Sequence, residues 1–187
     1  MNSGYTEVLN SIGSSDPTPG GGSVAALSLA HAHSLALMVA RLTVGKEKWM
    51  DGHEVAEQVI SDSIDGVENA IWLAKLDAEA FDSVMSAYRM PKDTTNEKKA
   101  RSSAIREATI AAARAPLDTA FSARSLLFSL ESLCVSCNSN ALTDLASAAE
   151  LCLSSVKIAA MNVKINLDSV EGDDVENISS QLNQVIL

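Results

Sequence analysis

Apolar residues recur along this chain at intervals of three and four. No stretch shows sustained two-residue alternation with β-branched residues, so no sheet is predicted. The longest pattern runs through Ala56, Ile60, Ile64, Val67, Ile71, Ala74, Ala78, Phe81, Met85 and Tyr88. It predicts one helix from near Asp51 to just before Pro91, roughly 57 Å long at 1.5 Å per residue. Such a stripe is what a bundle helix turns toward its neighbours. Upstream, Ser23 to about Val44 is apolar nearly all round, which predicts a central helix with Gly45 as its stop. Residues 5–12 predict a short helix ended by Gly13, Pro17 and Pro19. Thr94 and Glu97 have capping-box spacing and open a further helix, which Pro116 should kink or break. The loop "SCNSN" (136–140) precedes a helix from about Thr143 to Leu167, and Asp173 or Asp174 caps a last short one. The fold class predicted is all-α: a single-domain bundle of long antiparallel helices over 1–187.

Composition narrows the setting. A chain of 187 residues, 47% hydrophobic, suits one domain with a substantial core. The run from Val24 to Val44 is long enough to cross a membrane, yet it carries His31, His33, Ser34 and Arg41 and lacks anchoring residues at both ends. A buried helix is the better reading, and no membrane partner is expected. A net charge of −10 repels phosphate backbones, so no nucleic-acid partner is expected either. "MNSGYTEVLN" has neither the basic nor the apolar region of a signal peptide. With three cysteines, this leads us to expect a cytoplasmic protein with reduced thiols.

Several residues can carry chemistry. "PTPGGGSVAA" (17–26) places Gly20, Gly21, Gly22 and Ser23 at the start of the central helix. Free N–H groups and the positive dipole end suit an anion or a carbonyl-rich ring there. The alternative is a flexible lead-in with Ser23 as N-cap. The segment lacks the Gly-Lys-Ser/Thr ending of a nucleotide loop, and no base partner is indicated for Ser23 as a nucleophile. Asp77 and Asp82 flank the long apolar stripe about equally closely, where desolvation raises a carboxyl pKa toward a useful range. Either could instead pair with a neighbouring cation. Lys46 and Lys48 follow the central helix, where cations complement the dipole or hold an anion. Asp144 falls in a helix's first turn, which alone favours an aspartate. Asn162 and Asn166 share a helix face and suit either ligand binding or helix–helix hydrogen bonds. His31 and His33 point to different faces, and Cys134 with Cys137 lacks a second ligand pair, so no metal site is expected.

An ordered set of segments carries a resemblance. "PTPGGGSVAA", "MVARLTVGKEKW" (38–49), "LDAEAF" (76–81), "MPKDT" (90–94), "APLDTA" (115–120), "SNALTDLASAA" (139–149) and "NVKINL" (162–167) together resemble the formiminotetrahydrofolate cyclodeaminase / methenyltetrahydrofolate cyclohydrolase family. The resemblance spans about residues 5–170. It implies a helical homodimer with sites near the subunit interface, acting on tetrahydrofolate one-carbon adducts without a cofactor. With only sixteen residues before Pro17, the chain is similar to the free-standing members. The resemblance selects Asp77 over Asp82 as the general acid–base carboxylate. It implies that Lys46 supports charge at the reacting centre or holds the folate glutamates. It likewise places Gly20, Gly21, Gly22, Ser23, Asn138, Asp144, Asn162 and Asn166 around the substrate, with Asp144 on the pterin N3–H and 2-amino edge. Two positions depart from the family pattern: Cys137-Asn138 stands where Cys-Gly-Asn or Gly-Asn is usual, and Thr143-Asp144-Leu145 where Ser-Asp-Leu is usual. The competing expectation is an inactive helical scaffold or adaptor that keeps the family core.

Overall fold

The computed structural model describes residues 3–186, which form seven α-helices and no strand. They are α1 (Ser3–Ile12), α2 (Gly21–Thr43), α3 (His53–Tyr88), α4 (Thr95–Ala112), α5 (Arg114–Cys134), α6 (Leu142–Leu167) and α7 (Asp173–Ile186), with 3₁₀ turns at Glu47–Gly52 and Ser139–Ala141. Helix α2 lies at the centre, against α3, α6 and α5. Its buried positions are mostly alanine (Ala25, Ala26, Ala32, Ala36 and Ala40), so neighbouring backbones approach closely. This is the one described helix long and apolar enough to cross a membrane, and it forms the middle of the core instead.

Two pairs of contacts set the directions. Ser23 meets Asp77 and His33 meets Ser63, so α3 runs antiparallel to α2. Ser155 Oγ donates to Ala25 O while the Asn138 N–H donates to Thr43 Oγ1, so α6 is also antiparallel to α2. A second core cluster, around Ile110, Leu117, Val163 and Leu167, takes Ile178 and Leu182 of α7.

Local signals mostly place the elements. Thr94 and Glu97 make both bonds of the capping box. The break expected from Pro116 falls at Ala113, leaving the proline in the first turn of α5, where its missing N–H costs no helix bond. Gly45 ends α2 with φ 74°. The start of α2 is corrected: it begins at Gly21 with Gly20 as N-cap, so Ser23 lies inside the first turn rather than capping it.

The larger correction concerns α3. Its inward face uses Ala56, Val59, Ser63, Ala70, Leu73 and Ala74. Four members of the predicted stripe, Ile64, Ile71, Phe81 and Tyr88, stand 38–54% exposed. The face packed on α2 is mostly small, with Leu73 and Val59 as its larger members, and these four side chains of the stripe turn outward. Helix α1 buries no residue and touches α2 through Tyr5, whose hydroxyl lies 3.3 Å from His31 Nε2.

Candidate active site

A cleft of about 240 Å³ opens where the start of α2 meets α3 and the end of α6. Asp77 lies on its wall and is held by Ser23, whose hydroxyl donates to Oδ2 at 2.9 Å. The Ser23 backbone N–H also supports the ionised form. Asp77 therefore caps α2 from another helix, doing what Ser23 was expected to do locally. Burial raises the carboxyl pKa, and the two Ser23 bonds pull it part of the way back. Ser23 itself is only 1% exposed and serves the carboxylate rather than the cleft.

The glycines have separate reasons. A Cβ on Gly22 would overlap the Asp77 carboxyl, 2.6 Å from Cγ. On Gly21 it would make an ordinary 3.6 Å contact with Asn162 Nδ2, and on Gly20 a tight 3.3 Å contact with Pro17 O. All three line the cleft. Asn162 Nδ2 donates to Ile158 O at 2.9 Å and Asn166 Nδ2 to Ala112 O at 3.0 Å. Their amide oxygens, without a donor among the described residues, remain for a ligand. Asn166 thus ties α6 to the end of α4 and lines the cleft at once. Sequence reasoning passed over the apolar wall of Phe81 and Val84. The signal was present: positions 77, 81 and 84 share one helix face.

The other candidates lie at the far end of the bundle, apart from Asp77 within one chain. Lys46 follows α2, about 35 Å along its axis from Gly22. Its carbonyl accepts from His53 Nε2 at 3.1 Å. Asp144 begins α6, about 27 Å along that axis from Asn162. Asn138 is a clasp: its Nδ2 donates to Leu42 O and its Oδ1 accepts from the Asn140 N–H, tying the α5–α6 turn to α2. Asp82, the geometric rival of Asp77, does not line the cleft. The three cysteines are free; burial pushes the Cys152 thiol up to about 12 and raises that of Cys137.

The family model for formiminotransferase-cyclodeaminase matches residues 4–184. The chain belongs to this family. Formiminotetrahydrofolate cyclodeaminase from Thermotoga maritima superposes with a TM-score of 0.86 at 30% identity, covering 97% of this chain and 87% of that one. Methenyltetrahydrofolate cyclohydrolase from Methylorubrum extorquens is 35% identical over 164 residues, 87% of this chain and 78% of its own length. Formimidoyltransferase-cyclodeaminase from Sus scrofa is 32% identical over 165 residues, and the match spans 30% of that longer protein. A formiminotransferase-cyclodeaminase family chain is thus built here around an aspartate that caps its central helix.

Proposed function

We propose that the chain is an enzyme of folate one-carbon chemistry, acting as a formiminotetrahydrofolate cyclodeaminase or a methenyltetrahydrofolate cyclohydrolase. The observation that carries this reading is the half-buried Asp77 on a cleft walled by glycine backbone, two asparagines and Phe81. Both reactions pass through a tetrahedral carbon between N5 and N10 of the folate. In the deaminating direction N10 attacks the formimino carbon, the N10 proton leaves, and the departing amino group takes up a proton as the C–N bond breaks. In the hydrolytic direction water adds to the methenyl carbon, loses a proton, and the C–N5 bond opens to the 10-formyl product. One carboxyl group that accepts and returns a proton serves either route. A desolvated aspartate holds its proton more readily than a free one, and Ser23 fixes its orientation. Phe81 offers a flat apolar surface to the pterin, and the Asn162 and Asn166 amide oxygens offer acceptors to its N–H edge. The proposed chemistry needs no metal or redox cofactor.

We further propose a homodimer in the cytoplasm. Exposed Ile64, Ile71 and Trp72 of α3, with Met38 and Leu42 of α2, supply apolar surface for such a contact. A two-fold axis across α2 sets the two α2 helices antiparallel. The Lys46 end of one copy then lies beside the Asp77 end of the other. This arrangement reunites the two groups of candidates that a single chain separates.

Two assays test the activity. Formiminotetrahydrofolate should give rising methenyl absorbance if the chain deaminates; methenyltetrahydrofolate should give falling absorbance if it hydrolyses. Asp77→Asn should lower turnover about 10²–10⁴-fold in whichever assay responds. A wild type silent in both would favour the scaffold reading; a variant as fast as wild type would overturn the role given to Asp77.

A further inference from the structure

Midway along the bundle, α3 and α5 meet across a second cleft, of about 170 Å³. Ser63 at its floor is about 21 Å along α3 from Asp77, so the cleft stands apart from the proposed active site. Gly66 interrupts the middle of α3, at a cost of about 1 kcal/mol relative to alanine. Its purpose is visible: a Cβ there would overlap the His33 imidazole, 2.5 Å from Nε2. His33 is only 7% exposed, and its Nδ1 lies 3.3 Å from the buried Ser63 hydroxyl. Its Nε2 has no hydrogen-bond partner among the described residues. No fully buried side-chain nitrogen there lacks one, so Nε2 opens into the cleft that His33 lines.

The rest of the lining is rich in acceptors. Asp62 accepts from Gln58 Nε2 at 2.8 Å through Oδ1, leaving Oδ2 available. Ser122, Ser125 and Ser129 follow one face of α5, opposite Asn69. The Ser129 hydroxyl donates to Ser125 O, so its lone pairs remain to accept. No lysine or arginine lines the cleft among the described residues. Burial holds the imidazole neutral, with a pKa of about 4.

We infer that this cleft binds a small protonated amine, either ammonium or an R–NH₃⁺ group. Asp62 supplies the opposite charge, and hydroxyl and amide oxygens accept N–H bonds. The proposal includes the tautomer in which Nδ1–H donates to the Ser63 hydroxyl, which leaves the Nε2 lone pair to accept an N–H, whereas potassium and sodium ions favour oxygen ligands. The inference does not rest on the proposed folate activity.

The test is amide NMR of the intact ¹⁵N-labelled protein, titrated at constant ionic strength with ammonium, methylammonium or potassium chloride. Ammonium should shift the Gly66, Asn69 and Ser125 amides saturably, and potassium should not. A parallel response to methylammonium assigns the site to R–NH₃⁺ groups in general; a response to ammonium alone restricts it to the free ion. Asp62→Asn, at an exposed position, should weaken the affinity about tenfold by removing a charge-assisted hydrogen bond. Asp77→Asn should leave it unchanged. Non-saturable shifts, an equal response to potassium, or undiminished affinity in Asp62→Asn would overturn the assignment.

Discussion

Two adjacent glycines make a matched experiment on Asp77. Gly21 and Gly22 both lie in the first turn of α2, so alanine at either position reduces chain entropy similarly, by roughly 0.5–1 kcal/mol. Their surroundings differ. The new Cβ at position 21 stays 3.6 Å from Asn162 Nδ2, an ordinary contact. At position 22 it falls 2.6 Å from Asp77 Cγ. Restoring van der Waals distance there moves the carboxyl by about 1 Å, a displacement that can cost about 10²-fold in rate. The shift also pulls Oδ2 away from the Ser23 hydroxyl. Gly22→Ala should therefore lose about 10²-fold in kcat, while Gly21→Ala stays within a few-fold of wild type. Steady-state kinetics on the responding folate substrate, alongside thermal unfolding of both variants, makes the comparison. Wild-type turnover by folded Gly22→Ala would refute the assignment of Asp77. Equal losses in both variants would refute the steric argument.

Three further predictions concern other features. Ser23→Ala removes a hydrogen bond that lowers the Asp77 pKa, so the acidic limb of the pH–rate profile should move to higher pH, and an unmoved limb would contradict the role given to Ser23. If each site draws on both subunits, equimolar mixing of inactive Lys46→Ala and Asp77→Asn proteins should restore up to about a quarter of wild-type activity, because half the dimers then hold one intact site; no recovery after proven subunit exchange counts against the shared site. His33 has a folded pKa of about 4 against 6.5 in its unperturbed state, so the unfolded chain binds the extra proton between these values. Stability is full above pH 6.5 and should fall toward pH 4 by up to about 3 kcal/mol. Urea unfolding across that window should show the slope, and His33→Gln should flatten it.

The order of the helices, their approximate ends and the all-α class were legible because they rest on local chemistry. The Thr94–Glu97 capping box, the Gly45 stop and the three-and-four spacing each act within a few residues. The residues of the cleft were partly legible too: the glycines and the asparagine pair carry backbone or side chains suited to the chemistry, while Asp77 was separated from Asp82 only by the family resemblance. Which side of α3 faces inward was not legible. Periodicity reveals an apolar stripe but not what covers it, and the packing on α2 took Ala56, Val59, Ser63, Ala70, Leu73 and Ala74 inward instead. Nor could sequence reveal that the cap of α2 comes from Asp77, 54 residues away, or that Gly22 is needed to let that carboxylate in. Finally, Lys46 and Asp144 carry charges suited to a folate, and the sequence by itself determines that much. Only the antiparallel packing of rigid helices tens of ångströms long decided that these charges stand at the opposite end from Asp77.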